Sequence, residues 1–424
     1  MLTLQILREQ TDAVLNGLKK RNFKDAERLV SQVIENDKLR RETQNTLDTL
    51  KAKSNVESKK IGELIKSGKV DEATSLRTSV AADKDKLKAL EESLGDFERK
   101  QQDLLYKIPN VPALKVPAGK SAEDNITVHQ HGKIPELYAD ALPHWELIKK
   151  YDIIDFDLGI KIAGAGFPVY KGKGARLQRA LINFFLNEAA NAGYREIMPP
   201  IVVNEASGYG TGQLPDKEGQ MYFVNEDGLY LIPTAEVPVT NLYRDVILTE
   251  DELPVKNAAY TPCFRREAGS WGAHVRGLNR LHQFDKVEIV QICRPEDSYN
   301  ILDEMCLHVQ GLLEKLELPY RTLLLCGGDM SFNSALTYDM EVYSAAQQRW
   351  LEVSSVSNFE TFQANRLKLR YKNKEGKMQF LHTLNGSALA LPRIVAALLE
   401  NNQTPDGIKI PEVLVPYTGF DMIN

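Results

Sequence analysis

The sequence predicts an α+β protein in two parts, an N-terminal hairpin of long helices and a C-terminal domain in which helices flank a β-sheet. Three observations predict this fold. Residues 24–107 contain no proline and carry apolar residues at spacings of three and four, as long helices do. Proline residues follow closely from residue 109. Beyond residue 167, helical patterns alternate with short apolar runs that are typical of strands.

The composition limits the class of protein. At 424 residues the chain exceeds a typical single core, so two domains are expected. Hydrophobic residues make up 43% of the chain and charged residues 26%, which is ordinary for a soluble protein. The formal net charge of −5 argues against a uniformly basic nucleic-acid binder. Any contact with RNA therefore requires a local basic patch.

The sequence carries no targeting or metal-binding pattern. It has no signal-peptide progression and no uncharged apolar run approaching about 18 residues, so we expect a cytoplasmic protein without membrane association. Because the cysteines lack close Cys–Cys or Cys–His spacing, we expect neither disulfides nor zinc. They are Cys263, Cys293, Cys306 and Cys326.

The N-terminal hairpin follows from helical periodicity. Residues 1–23 predict one short amphipathic helix, and residues 24–107 predict two long helices with a narrow apolar seam. Ser67, Gly68 and Lys69 interrupt the pattern near its middle, as expected where a chain reverses. We therefore predict an antiparallel coiled-coil arm. Its seam positions are Leu47, Leu50, Ile61, Leu64, Leu76, Val80, Leu87, Leu90, Leu94, Phe97 and Leu104.

Lysines outnumber carboxylates around the tip of this arm. A basic tip on an acidic protein suits contact with RNA phosphates. The sequence supports equally well the alternative that these lysines only keep an exposed coiled coil soluble. The residues concerned are Lys51, Lys53, Lys59, Lys60, Lys66 and Lys69, against Glu57 and Glu63.

We place the domain boundary after residue 108, which makes 1–108 the arm and 109–424 the second domain, with 109–166 as linker and lead-in. Residues 175–192 predict an amphipathic helix. It runs into an apolar strand, 196–203, that contains Pro199 and Pro200. Since proline cannot donate to a strand ladder, this strand belongs at the edge of a sheet or at an interface.

Residues 261–288 predict a hairpin whose two strands are joined by a loop with Gly269, Gly272 and Gly277. This pattern suits two ligands, a polyanion that carries an attached base and a small zwitterion. The cations would bind the polyanion, and the carboxylates would accept hydrogen bonds. The alternative is a surface hairpin with solvated charges. The cations are Arg265, Arg276, Arg280 and Lys286, and the carboxylates are Glu267 and Glu288.

Three further stretches carry polar residues next to apolar ones. Thr234 and Glu236 can hydrogen-bond an ammonium group, which would pair a carboxylate that is otherwise costly to bury. Residues 350–355 are expected to end a strand with a carboxylate and hydroxyls. Residues 382–393 lead into an apolar helix, with Pro392 and Arg393 in its first turn, where backbone N–H groups favour a phosphate.

The hairpin sequence, Phe-Arg-Arg-Glu followed by His-Gln-Phe-Asp-Lys-Val-Glu, resembles motif 2 of the class II aminoacyl-tRNA synthetases, and the surrounding residues resemble the seryl-tRNA synthetase family. Residues 175–203 resemble motif 1 and 382–393 resemble motif 3. The resemblance covers nearly the whole chain. It implies an antiparallel catalytic sheet, a homodimer formed through motif 1, and an arm that binds tRNA.

The resemblance also implies roles for individual residues. Arg265 and Arg393 would be catalytic, with Arg265 on the α-phosphate, Glu267 on the adenine edge, and Arg393 with Phe284 on either side of the adenine ring. Glu352 and Ser355 would hold Mg²⁺. Serine would be bound by Thr234, Ala235, Glu236, Glu288 and Ser387. ATP would be bound by Arg265, Arg266, Glu267, Leu281, Phe284, Glu352, Val353, Ser354, Ser355 and Arg393.

The activity that the resemblance implies is that of a serine–tRNA ligase, which uses ATP to activate L-serine and transfers it to tRNA(Ser), and to tRNA(Sec) where that tRNA exists. Ala388 and Pro392 stand where the family often has glycine. Two alternatives remain. One is a synthetase paralogue that loads a small amino acid onto a carrier protein, although such paralogues usually lack the arm. The other is a non-catalytic RNA-binding scaffold, which would be marked by loss of Arg265, Glu267 or Arg393.

Overall fold

The computed structural model describes residues 1–216, 218–268 and 276–424. The chain divides into two compact units, Met1–Lys19 with Phe23–Pro109, and Lys20–Asn22 with Asn110–Asn424. Gly269 and Gly272 of the predicted hairpin loop lie outside the described residues. In the described ranges, no helix combines the length and the apolar character needed to cross a membrane.

The first unit is helical and the second is mixed. The α-helices of the described residues are, in chain order, α1 (Leu4–Glu9), α2 (Thr11–Lys20), α3 (Ala26–Lys66), α4 (Val70–Leu105), α5 (His144–Lys150), α6 (Phe156–Ile162), α7 (Gly172–Asn191), α8 (Glu205–Thr211), α9 (Glu236–Asn241), α10 (Ser298–Lys315), α11 (Thr361–Leu367), α12 (Leu391–Asn401) and α13 (Val415–Thr418).

The strands of the described residues belong to the second unit. They are β1 (Ile126–His131), β2 (Ile154–Asp155), β3 (Val169–Tyr170), β4 (Arg195–Glu196), β5 (Val202–Asn204), β6 (Phe223–Val224), β7 (Leu229–Leu231), β8 (Ile247–Thr249), β9 (Val255–Phe264), β10 (Gln283–Cys293), β11 (Tyr320–Leu324), β12 (Leu336–Ser344), β13 (Arg349–Asn358), β14 (Arg370–Lys372), β15 (Met378–Phe380), β16 (His382–Ala390), β17 (Gln403–Thr404), β18 (Gly407–Lys409) and β19 (Met422–Ile423).

The predicted arm is an antiparallel pair of long helices, α3 and α4. The Asn36 amide on α3 donates to the Phe97 carbonyl on α4 at 2.9 Å, and Lys53 donates to Asp83 at 2.8 Å. Residues therefore pair in opposite order along the two helices. The chain reverses at Gly68, whose φ of +76° is one that glycine adopts readily. The predicted reversal is thus confirmed.

The first 23 residues form two helices, so the prediction of one helix was wrong. Gln10 lies between α1 and α2 with non-helical backbone angles, φ −128° and ψ 35°. The Thr11 hydroxyl donates to the Leu7 carbonyl at 2.7 Å. Such local hydrogen bonds offer the backbone an alternative to a continuous helix, and apolar spacing alone does not reveal them.

The second unit is built on an eight-stranded sheet in the order β1-β11-β12-β13-β16-β10-β9-β4. Neighbouring strands are antiparallel except for β4, which runs parallel to β9. Apolar residues of α7, α10 and α12 are buried in one core with those of the sheet. The predicted α+β fold, with an antiparallel sheet flanked by helices, is therefore confirmed.

The segment that resembles motif 1 contains the predicted helix, α7. The expected strand over 196–203 is instead split into β4 and β5, because Pro199 and Pro200 stand between them and cannot donate to a ladder. β4 is the last strand of the main sheet, so its predicted edge position is confirmed. Residues 350–355 were expected to end a strand, but they lie near the start of β13.

Candidate active site

The predicted site residues lie on neighbouring strands of the main sheet and on the helices that follow them. β9 and β10 form the predicted hairpin, with Cys263 opposite Phe284. β16 pairs with β10 on its other side and places Ser387 opposite Glu288. β16 runs directly into α12, so Arg393 lies in the first turn of that helix, with Pro392 beside it as predicted.

Arg265 follows β9 and lies against the ring of Phe284. Its Cζ atom is 5.3 Å from the ring centroid, a cation–π arrangement. The Arg265 Nε donates to the Pro233 carbonyl at 3.4 Å, and the Arg265 backbone N–H donates to the His282 carbonyl at 2.9 Å. The guanidinium is thus held beside an aromatic face. Arg266 is exposed, and its backbone N–H donates to the Gln220 carbonyl.

Arg393, on the helix after β16, contacts the same hairpin. Its Nε donates to the Asn279 carbonyl at 3.1 Å, and its Nη1 donates to the Glu352 carbonyl at 2.7 Å. The Nη1 also lies 3.8 Å from the Glu352 carboxylate. Both predicted catalytic arginines therefore contact residues 279–284, Arg393 at the Asn279 carbonyl and Arg265 at the Phe284 ring.

The remaining hairpin residues divide between this site and other contacts. Glu267 pairs with Arg280, and Leu281 is buried. Arg276 was expected to join the cationic site. It instead donates to Glu146 at 3.1 Å and lies over the ring of Trp145. Lys286 was expected there too, but it is buried and its Nζ lies 2.6 Å from Glu288.

The segment just before β10 is positioned by a buried histidine that was not among the predicted site residues. The His144 Nδ1 lies 2.7 Å from Glu400, and its Nε2 accepts from the Leu278 backbone N–H at 2.9 Å. Gly277 lies against this ring with φ +67°, and an added Cβ would come within 2.3 Å of His144 Nε2. A larger residue at Gly277 would therefore displace the turn that carries Asn279. The only sequence signal was a lone histidine that follows a proline at the start of a short helix.

Two carboxylates and a hydroxyl lie together on β12 and β13. Ser355 donates to Asp339 at 2.6 Å across the strand pair. Burial raises the pKa of Asp339 well above its usual value, and the charge of Glu352 raises it further. No motif links Asp339 to Glu352, so sequence spacing does not identify it. Val353 and Ser354 are buried, and the Ser354 hydroxyl donates to the Ser387 carbonyl at 2.6 Å.

This donor set fits the predicted Mg²⁺. The ion prefers oxygen ligands and uses few protein carboxylates. Glu352, whose side chain is half exposed, and Ser355 offer oxygens of that kind. Burial and the charge of Glu352 both disfavour the ionised form of Asp339, and a divalent cation would favour that form.

A second group of predicted residues forms a buried polar cluster. Thr234, Glu236, Glu288 and Ser387 are each no more than 7% exposed, and Ala235 is fully buried. Ser387 donates to the Glu288 carboxylate at 3.3 Å, and Lys286 pairs with the same carboxylate. The charge of Glu288 is therefore already offset within the protein.

Glu236 differs from Glu288 because it forms no ion pair within the described part of the chain. It accepts a hydrogen bond of 2.6 Å from the Gln363 amide. Burial raises its pKa to about 7. The hydrogen bond from Gln363 opposes this effect, the charge of Glu288 adds to it, and the charge of Lys286 and a hydrogen bond from Asn385 oppose it further. This polar cluster thus contains one carboxylate that forms no ion pair among the described residues, although the charge of Lys286 acts on it from a distance.

Gln363 and its partners were also missed by the sequence analysis. Gln363 lies on α11, donates to Glu236 and to the Thr211 carbonyl, and accepts from Thr383 at 2.7 Å. It therefore fixes the orientation of the Glu236 carboxylate. A glutamine among the buried residues of a short helix is a weak signal, since its partners come from distant parts of the chain.

Comparison with known proteins identifies the relatives of the chain. Residues 1–112 match the model of the seryl-tRNA synthetase N-terminal domain, and residues 222–402 match the class II tRNA synthetase core domain for G, H, P, S and T. A serine–tRNA ligase of Salinibacter ruber is 49% identical over 426 residues, covering 100% of this chain and 99% of the relative. One of Akkermansia muciniphila is 47% identical with the same coverage.

Solved structures give the same result. Seryl-tRNA synthetase from Pyrococcus horikoshii complexed with ATP has a TM-score of 0.92 and 31% identity, covering 100% of this chain and 99% of that one. Cytoplasmic serine-tRNA ligase from Naegleria fowleri in complex with AMP has a TM-score of 0.87 and 26% identity, with the same coverage. Full-length identity, both domain matches and the shared fold together show that the chain belongs to the seryl-tRNA synthetase family.

Proposed function

We propose that the chain is an ATP-dependent serine–tRNA ligase, which forms seryl-adenylate and transfers serine to the 3′ end of tRNA(Ser). The observation that carries this proposal is that Arg265 contacts the Phe284 ring and Arg393 contacts the Asn279 carbonyl. Next to them lies the buried polar cluster in which the Glu236 carboxylate forms no ion pair. An anion, a base and an ammonium group each find a complementary partner there. The relatives' shared activity supports the same reaction.

ATP binds at the hairpin. Adenine lies against Phe284 with Arg393 on its other face, since guanidinium and aromatic planes both stack on bases. Glu267 accepts from the adenine edge, and Arg265 binds the α-phosphate. Arg266, Leu281 and residues 352–355 complete the nucleotide site. Glu352 and Ser355 hold Mg²⁺, which neutralises phosphate charge when it is bound.

Serine binds at the buried polar cluster. Its ammonium group goes to Glu236, because that carboxylate forms no ion pair among the described residues while Glu288 already pairs with Lys286. The serine hydroxyl is bound at Glu288 and Ser387, and Thr234 and Ala235 line the serine site. A buried partner for the hydroxyl rejects alanine strongly. Exclusion of threonine depends on its extra methyl group, a weaker criterion worth roughly 1–3 kcal/mol.

The chemistry needs positioning and charge stabilisation rather than a protein base. The serine carboxylate is already ionised when it attacks the α-phosphate in line and expels pyrophosphate. The ribose hydroxyl of the tRNA then attacks the acyl carbon and releases AMP. Arg265 orients the α-phosphate and stabilises its charge, Arg393 fixes the adenine, and such preorganised contacts supply most of the rate acceleration.

The helical arm binds tRNA, and its tip is less basic than its composition indicates. Lys51 pairs with Glu91, Lys53 with Asp83 and Lys69 with Glu72. Exposed lysines that form no ion pair among the described residues remain for phosphate contact, and they are Lys59, Lys60 and Lys66. The same contacts would serve tRNA(Sec) where that tRNA exists.

The chain works as a cytoplasmic homodimer whose interface includes the motif 1 segment. β4 ends the main sheet, so one side of it has no partner strand among the described residues. Met198 after it is 88% exposed, and Ile201 and Val202 are 36% and 37% exposed. Apolar residues at an open sheet edge suit burial against a second copy.

Two assays test the proposal. ATP–pyrophosphate exchange measured with each of the twenty amino acids should occur with serine. No exchange with any amino acid would favour the alternative of a non-catalytic RNA-binding scaffold. Deletion between about residues 38 and 98 should preserve serine-dependent exchange and abolish tRNA charging, because the arm holds none of the adenylate chemistry. Exchange without tRNA charging by the full-length chain would favour the carrier-protein alternative.

A further inference from the structure

A cluster of side chains with metal-ligand chemistry lies away from the proposed active site. His129 and His131 on β1 and Glu314 on α10 each offer one ligand atom, and these atoms all lie within 4.8 Å of one another. β1 is the outermost strand of the main sheet, separated from β13 by β11 and β12. None of the three residues has a role in the proposed serine or nucleotide sites.

The fold explains why these residues meet. Side chains two apart on a strand point to the same side, so His129 and His131 share one face of β1. His131 is opposite Tyr320 in the pairing of β1 with β11. Glu314 is in the last turn of α10, and the short connection from α10 to β11 brings its carboxylate to Tyr320.

Tyr320 contacts all three side chains of the cluster. Its hydroxyl donates to the Glu314 Oε1 at 2.8 Å, which leaves Oε2 for another partner, and it also lies 3.3 Å from the His129 Nε2. Both imidazole rings lie 5.7 Å from the Tyr320 ring, His131 stacked at 27° and His129 tilted at 42°. Tyr320 is fully buried, so its ring and hydroxyl form a fixed support for the exposed ligands.

We propose that His129, His131 and Glu314 bind one divalent transition-metal ion of the zinc class, with water completing the coordination. Two imidazoles and one carboxylate are a ligand set that zinc uses with an open position. A hydrogen bond that orients a ligating carboxylate, as Tyr320 orients Glu314, is a recurrent support of such sites.

The geometry requires little movement. Ligands around tetrahedral zinc with bonds of about 2.1 Å lie roughly 3.4 Å apart. All three side chains are exposed, so rotation about their own bonds can close the observed separation without displacing the core. The ion would join β1 to the end of α10 and stabilise the sheet edge, since a ligand that binds only the folded state raises stability.

This site departs from the sequence expectation of no zinc. That expectation rested on the absence of close Cys–Cys and Cys–His spacing, whereas these ligands are two histidines and a glutamate from a distant helix. Strand pairing and the α10–β11 connection bring them together, so their spacing along the chain follows no zinc motif.

The test is Zn²⁺ binding by the full-length, tag-free protein after treatment with a chelator. Isothermal titration should give one equivalent bound per chain, and Co²⁺ should give the absorption of a coordinated ion. His129→Gln combined with His131→Gln should weaken binding about tenfold or more, as should Glu314→Gln alone. Gln130→Ala is the matched control, because Gln130 lies between the two histidines on the opposite face.

The variants also separate this site from the active site. Serine-dependent exchange should be unchanged in the histidine variants, because neither histidine contacts the proposed substrates. The proposal is wrong if wild-type protein binds no Zn²⁺. It is equally wrong if the double histidine variant or Glu314→Gln binds Zn²⁺ as tightly as Gln130→Ala does.

Discussion

Glu236 gives the sharpest prediction, because its role as ammonium partner makes serine binding depend on pH. The pKa of this buried carboxyl is raised from 4.5 to about 7. Serine requires the ionised form, so protonation competes with binding. With a pKa of about 7, roughly one-eleventh of the carboxyl is ionised at pH 6 and ten-elevenths at pH 8. The KM for serine should therefore rise about tenfold from pH 8 to pH 6.

The same pKa predicts the effect of Glu236→Gln on stability. Because the pKa of Glu236 in the folded state lies above its usual value of 4.5, the folded protein holds an extra proton between these two pH values. The contribution of this proton to the free energy of unfolding is fully present below pH 4.5 and is lost as the pH rises through about 7. A difference of 2.5 pKa units corresponds to roughly 3 kcal/mol. Without serine, the neutral variant should be more stable than wild type by up to that amount at pH 8.

The assay combines exchange kinetics with urea unfolding. Glu236→Gln should lose most serine-dependent exchange, and its residual KM for serine should no longer change with pH. Glu360→Gln is a matched control, since burial raises the pKa of Glu360 as well but we assign it no substrate contact. A wild-type KM for serine that is flat from pH 6 to 8, or a Glu236→Gln variant with wild-type KM, would refute the assignment.

Further variants test the nucleotide site, the arm and the N-terminal unit. Arg265→Ala should suppress pyrophosphate exchange far more than tRNA binding, and equal loss of both would contradict its role. His144→Gln should raise the KM for ATP but not for serine, because it loosens the turn that carries Asn279. Asp37→Asn should cost about 2 kcal/mol in urea unfolding at pH 7, because the buried Asp37 accepts from Arg8, Arg40 and Arg41. These ion pairs lower the pKa of Asp37, so the difference should disappear as the pH falls below its usual value of 3.8. The tip lysines that form no ion pair among the described residues are Lys59, Lys60 and Lys66. Replacing them by alanine should lower tRNA charging, and reduce the salt dependence of charging, more than replacing the paired Lys51 and Lys53 does.

Much of the fold could be predicted because local patterns determine it. Apolar spacing identified α3, α4 and α7, and Gly68 marked the reversal of the arm. The predictions that failed were those where short-range hydrogen bonds or prolines override apolar periodicity. Examples are the break at Gln10 and the split strand at Pro199 and Pro200.

The candidate site could be predicted only as a set of residues. Motif spacing grouped Arg265 with Phe284, but it also placed Arg276 and Lys286 with the phosphate-binding cations. The structure pairs Arg276 with Glu146 and Lys286 with Glu288. The partner of a charged side chain depends on distances between segments far apart in the chain, and sequence spacing does not give these distances.

The sequence by itself determined the helical arm, the order of the three motifs and the family, since these depend on residue type and local spacing. Only the tertiary structure decided which carboxylate of the buried polar cluster forms no ion pair among the described residues, which tip lysines are paired, and that His129 and His131 meet Glu314. The physical reason is that ion pairing and desolvation depend on separation in space, which is set by strand pairing and burial rather than by position along the chain.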